Sequence, residues 1–339
     1  MTISFDDALE KLKRRQQLET KKAKTEGHGK TTPVRRRLLK SSVDIHARIP
    51  DELLFQHTVL CQTVLPYRDP GTEVRIWERQ QGNVRLSLEA GRAKDPQGQY
   101  VPVGLPFGAT ARLILCHLNT EALRTGSPVI EMDTSLSAFI RSLQGYAPNG
   151  KEIAKFKEQL TRLSAALIRL SMSRNETRAV QINTQIVSAL DLWVEQFDGE
   201  RVLSPKSIKL SADYFASLQE HAIPLDERAV AALAHSAMGL DVYCWLAQRL
   251  HRVDPKSGQF VPWVELHQQF GQGYQEVRKF RRDFLNVLKA VKDQYPTARF
   301  SVDEGGMLLS HSPSPVPKRS VLIEHPPQLA KPDPNGSKS

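Results

Sequence analysis

Apolar and polar positions along the chain change period several times, and each change marks an element. "EVRIWERQ" and "NVRLSLEA" alternate like half-buried strands and meet around Gln81-Gly82, which predicts a hairpin. "ATARLILCHLNTEALRTG" (109–126) spaces its apolar residues three and four apart and predicts a helix stopped by Gly126. "DTSLSAFIRSL" follows, with Asp133 or Thr134 as N-cap. "NGKEIAKFKEQLTRLSAALIRL" predicts a longer helix with Ile153, Phe156, Leu160, Leu163 and Leu167 on one stripe. Alternation returns in "ALIRLSMSRNETRAVQINTQIVSAL", a hairpin turning at Asn175-Glu176-Thr177. The second half repeats the order. "DERAVAALAHSA" and "GLDVYCWLAQRLHRV" are helical, and "VPWVELHQQFG" is a short helix ended by Gly271. "YQEVRKFRRDFLNVLKAVKDQYP" (274–296) is a long helix, and "ARFSVDEGGMLLSHS" is a hairpin turning at Gly305-Gly306.

Helix, short helix, long helix and hairpin thus occur twice, without sequence identity between the halves. That order predicts an α+β, mainly α fold of two tandem winged-helix domains, at 49–210 and 211–311. Residues 1–48 are expected to be a basic flexible tail, and 312–339, rich in Pro and Ser, a disordered one.

Composition sharpens this picture through charge. The 339 residues carry 47 Lys and Arg against 37 Asp and Glu, a net +10. Such a surplus points to a polyanion, with nucleic acid first and an acidic membrane surface second. The start lacks the apolar core of a secretory signal, and no stretch approaches a membrane span. Cys61, Cys116 and Cys244 lie far apart and form no disulfide framework, which places the chain in a reducing cytoplasm.

The helix at 274–296 concentrates the charge. At 100° per residue with Val277 at zero, Phe280, Phe284, Val287, Leu288 and Val291 share one side. Gln275, Arg278, Lys279, Arg282, Asn286 and Lys289 occupy the other, with Glu276 and Asp283 pointing sideways and Arg281 at the edge of the apolar stripe, placed for a structural pairing. An acid-free stripe of this kind suits base edges and phosphates: Arg forks to guanine, Gln and Asn to adenine, and Lys meets phosphate. The corresponding helix of the first half exposes Lys151, Lys155 and Arg162 together with Glu158. That mixture fits phosphate contact or a plain solvated face.

Catalytic patterns fail. "GHGKTT" (27–32) has Lys24 where a P-loop needs its first glycine, and Pro33 follows where the helix should open. The ten histidines form no metal-ligand pair, and Glu131, Asp133, Asp303 and Glu304 make no acidic metal set. No catalytic residue, metal or other cofactor is expected, and the protein is not read as an enzyme.

Residues 77–146 carry a resemblance. Gly104-Leu105-Pro106-Phe107-Gly108, Ala111-Arg112-Leu113, Thr120-Glu121-Ala122, Arg124-Thr125 and Ser135-Leu136-Ser137 resemble the plasmid-encoded RepA replication initiators of broad-host-range plasmids. "KEQLTRLSAALI", "LDVYCWLAQRL" and "WVELHQQFG" are similar to the family as well, so the likeness spans about 60–312. The glycine-rich run often found before the first long helix is here reduced to "APNG". The resemblance implies binding to repeated origin sites (iterons), melting of adjacent DNA, and recruitment of the host helicase DnaB with DnaA. It also implies a monomer–dimer equilibrium, with dimerisation by the first domain. Two other readings stay open: a winged-helix regulator of its own promoter, and a nicking or primase-like enzyme.

Overall fold

The computed structural model describes residues 32–95, 97–131, 140–141, 147–175, 178–197 and 200–316. Thr32 opens the first described helix: its hydroxyl accepts the Arg35 N–H at 3.3 Å, Pro33 fills the first turn, and α1 runs Pro33–Ala47. This corrects the expectation that the tail extends to residue 48. Four charges (Arg35, Arg36, Arg37 and Lys40) mask an inner face on which Leu38 and Ile45 pack against the core. The far end of α1 is tied down by Arg228, which donates to the Asp44 and Arg48 carbonyls at 3.0 and 3.1 Å. Residues 1–31 and 317–339 lie outside the described chain, as do Asp133, Thr134 and the 176–177 turn. Ser312 and Val316 are buried, so the packed body extends past the expected start of the C-terminal tail.

β1 (Leu53–His57) and the short α2 (Thr58–Gln62) come next. The expected hairpin forms as β2 (Ile76–Gln81) and β3 (Val84–Glu89), followed by a small unforeseen one, β4 (Arg92–Lys94) and β5 (Tyr100–Pro102). α3 (Gly108–Thr125) ends at Gly126, whose φ of 65° is left-handed as the sequence requires. β6 (Val129–Glu131) precedes α4 (Gly150–Ala165), which Asn149 and Glu152 open with a reciprocal capping box. Leu167 was expected on this helix; instead it begins β7 (Leu167–Asn175), which pairs with β8 (Arg178–Thr184). β9 (Val187–Phe197) and β10 (Glu200–Leu210) then form a long second hairpin. The sheets are ordered β2-β3-β7-β8 and β6-β10-β9.

α5 (Ala212–His221) leads into β11 (Ala222–Asp226), which pairs antiparallel with β1. The ladder joins residues on both sides of the expected division near 210. α6 (Glu227–Leu233), α7 (Ala237–Arg249), β12 (Gln259–Pro262), α8 (Trp263–Phe270) and α9 (Val277–Gln294) follow, then β13 (Arg299–Val302) and β14 (Gly306–Ser310). The last sheet is ordered β12-β14-β13. A Cβ on Gly306 would stand 2.3 Å from the Val261 carbonyl oxygen, so only glycine lets β14 reach β12.

One buried ion pair joins the two halves. Arg112 on α3 meets both carboxylate oxygens of Asp241 on α7 at 2.6 and 2.7 Å. Its remaining N–H groups reach the carbonyls of Leu65, Pro66 and Gly108 at 2.8, 3.3 and 2.8 Å.

A second buried group makes folding pH-dependent. His57 Nδ1 accepts the Val59 N–H at 3.2 Å, and Nε2 donates to the Ser217 hydroxyl at 3.0 Å. Burial lowers its pKa to about 3, and the same cause lowers His117 to about 4. Below pH ~6.5 the unfolded histidine takes up a proton that the folded one refuses. Stability should therefore fall on acidification from pH 6.5 towards 4, by about 1.4 kcal/mol per pH unit at full slope for each histidine. Denaturant melts of the protein and of His57→Gln across this range test it; an equal pH slope in both would exclude His57 as a source.

Candidate nucleic-acid interface

α9 is held by an aromatic core. Phe280 and Phe284 lie 5.2 Å apart, Phe270 of α8 packs on Phe284 at 5.6 Å, and Trp245 of α7 meets Phe270 edge-on at 5.4 Å. Leu288, Val291 and Gln294 complete the buried stripe, while Val287 is half-buried. Tilted and edge-on aromatic packing of this kind fixes the rotation of the helix, and therefore which residues face outward. Between α8 and α9, the Gly271 N–H closes on the His267 carbonyl at 2.7 Å, and His267 Nε2 donates to the Tyr274 carbonyl at 3.1 Å.

The outward face matches the sequence expectation closely. Arg278, Lys279, Arg282 and Asn286 are exposed, Gln275 is exposed in the turn before the helix, and Lys289 is half-buried. Arg281 separates from the other basic residues. Its guanidinium lies 4.9 Å over Trp263 and donates to the Asp303 carbonyl at 2.9 Å, bracing the β13–β14 hairpin against the helix. The stripe is not wholly free of acid. Arg282 Nε donates to Asp283 at 3.0 Å, and the Tyr274 hydroxyl reaches the same carboxylate at 3.3 Å. Asp283 is next to Arg282 in sequence, and a long side chain reaches round the helix where a wheel keeps them apart.

In the first half, Lys151 and Lys155 are exposed on α4. Arg162 was expected on the same exposed face, and the structure places it elsewhere. Its side chain is 12% exposed and pairs with Asp69 at 2.9 Å and Glu158 at 2.7 Å. It also donates to the Leu105 carbonyl at 3.0 Å and lies over Phe107. A Cβ on Gly104 would come within 2.5 Å of its guanidinium. Arg162 therefore clamps the 104–108 loop, and that loop and Asp69 are distant segments that a helical wheel does not contain. The Arg162 hydrogen bond holds the Asp69 carboxyl below its ordinary range.

Arg68 was missed. It lines an open cleft of about 490 Å³ with Tyr274, Lys279 and Asp283, beside the first turn of α9. It comes from an irregular loop before β2, where no periodicity marks it. Among the described residues, no group of His, Cys, Asp or Glu is arranged to hold a metal, and no helix is long and apolar enough to cross a membrane.

These features define a mixed α/β protein that presents a basic helix on a rigid aromatic base, flanked by a β-hairpin. Residues 105–264 match the family described as plasmid encoded RepA protein, and over that segment the chain is similar to it. The matched segment ends before α9. Two crystal structures of RctB are similar in fold. Selenomethionine domains 2 and 3 are 13% identical, covering 75% of this chain and 96% of that one, with a TM-score of 0.49. A second structure of domains 2–3 is 12% identical, covering 74% and 94%, with a TM-score of 0.45. No curated protein matches the chain.

Proposed function

We propose that this protein initiates plasmid replication by binding repeated sites (iterons) at the plasmid origin, promoting melting of adjacent DNA and recruiting the host helicase DnaB with DnaA. The observation that carries the reading is α9: its buried aromatic stripe aims Arg278, Lys279, Arg282 and Asn286 outward together. The run of α8, tight turn, α9 and β13–β14 supports a winged helix in which α9 enters the major groove. Gln275, Arg278, Arg282 and Asn286 are the base readers, and Lys279 and Lys289 meet phosphate. Lys151 and Lys155 of the first half add phosphate contacts. The protein has no catalytic centre of its own; its work is charge neutralisation and shape.

Band-shift titration on the plasmid's own direct repeats tests this. Specific binding should exceed binding to scrambled DNA by on the order of 10³-fold or more, falling steeply with salt. Thymines next to the bound repeats should become reactive to single-strand probes. Equal affinity for scrambled DNA would sink the reading. Stable dimers on an inverted repeat without unpaired bases would replace it by the promoter-regulator reading.

A further inference from the structure

Arg68 stands on a loop that is fastened along its length. Residues 63–69 form neither helix nor strand, so their buried backbone groups need partners from elsewhere. The first half supplies three. Trp77 Nε1 donates to the Val64 carbonyl at 3.0 Å, Arg112 to that of Leu65 at 2.8 Å, and the Gly108 N–H to that of Pro66 at 2.9 Å. The second half holds the same loop at two points. Gln269 Nε2 donates to the Gln62 carbonyl at 2.8 Å, and the Tyr67 N–H donates to Gln272 Oε1 at 3.0 Å. Asp69, the residue after Arg68, is fixed by Arg162 at 2.9 Å. Gln269 and Gln272 flank Gly271, so the loop that carries Arg68 is tied to the turn that places α9.

The Arg68 side chain is left outward. Arg68 and Lys279 are both exposed, and among the described residues no acid pairs with either. They line one open cleft of about 490 Å³, Arg68 from the first half and Lys279 from the first turn of α9. Two acids share the lining. Asp283 is taken by Arg282 at 3.0 Å and by the Tyr274 hydroxyl at 3.3 Å, while Glu276 stays exposed and opposes an anion. A guanidinium on a rigid loop gives up little freedom on meeting an oxyanion, and its planar fork fits two oxygens of a phosphate. Lys279 belongs both to the cleft and to the outward face of α9. The anion at hand is therefore the DNA strand that borders the groove α9 enters.

We propose that this cleft seats one strand of the bound DNA, Arg68 taking one backbone phosphate and Lys279 its neighbour; this rests on the DNA-binding reading above. Arg68 is then a positioning contact from the first half, which sets the depth and angle of α9 in the groove and reads no base. Both halves grip a single strand at a single place, through a loop bonded to each of them.

The full chain, Arg68→Ala, Arg68→Lys and Lys279→Ala are titrated across a range of salt, on a duplex carrying the repeat and on a scrambled one. Arg68→Ala should weaken both complexes by a similar factor, on the order of tenfold, and lower the salt slope by about 1 on each. Arg68→Lys should restore the slope, because the charge returns. Methylphosphonates placed one at a time along the repeat then locate the contact. One position should weaken the wild type and leave Arg68→Ala unaffected, and the adjoining phosphate of the same strand should behave so for Lys279→Ala. Wild-type affinity and slope in Arg68→Ala overturn the proposal. So does a loss confined to the repeat, which would make Arg68 a base reader, and so do sensitive positions that lie apart or on opposite strands. If the wild type binds both duplexes equally, the sequence-reading proposal has failed by itself, and the slopes on scrambled DNA still decide for or against Arg68. A wild type that binds neither duplex overturns both.

Discussion

Replacing Arg278 and Arg282 together with alanine is expected to abolish repeat-specific binding and leave the fold intact. Each good forked contact to a base contributes about 1–3 kcal/mol of discrimination, so losing two should cost on the order of 10²–10⁴ in specific affinity. Because the two side chains read bases while Lys279 and Lys289 meet phosphate, the salt slope should change little. Stability should move by less than about 1 kcal/mol, because both side chains are exposed and the Arg282–Asp283 pair is a surface one. Affinity for scrambled DNA should fall far less than affinity for the repeat. An unchanged ratio between the two would show that sequence is read from another surface. Arg281→Ala is the contrasting change: it removes the brace to Asp303 and Trp263 and acts through the hairpin.

The second large effect is expected at Arg112→Ala. The guanidinium is 5% exposed and Asp241 10%, so neither charge has water to fall back on. Removing one partner of such a pair typically costs about 3–5 kcal/mol. The loss also strands the carbonyls of Leu65, Pro66 and Gly108, which places the change at the upper end. Asp241→Asn should cost less, because those three carbonyl contacts remain. Urea unfolding followed by far-ultraviolet circular dichroism checks both. A midpoint for Arg112→Ala equal to that of the wild type would mean that the junction is wet or loose.

Local periodicity made much of the fold legible. The β2–β3 hairpin, α3 with its Gly126 stop, the β7–β8 hairpin and the α8–turn–α9–hairpin run all stand where the pattern put them. These elements bury a single stripe or face, so their spacing records their packing. α1 was hidden because charge dominated its composition. β1, β11 and β12 are four or five residues long, too short for alternation to declare itself. On α9 the outward residues were readable because the aromatic stripe is continuous. Arg162 was misplaced and Arg68 missed for one reason: both depend on loops that meet only in three dimensions.

The β1–β11 ladder also sets the order in which the molecule can be finished. Its strands lie about 170 residues apart, so at ribosomal speeds of 5–20 residues per second the first waits on the order of 10–30 s for the second. Asp226, at the end of β11, holds Arg228, whose guanidinium caps α1. The earliest described segment to leave the ribosome is thus among the last to be locked in place. A polypeptide beginning at residue 211 would carry the basic helix but neither the strand nor the cap partner that its own half was built around.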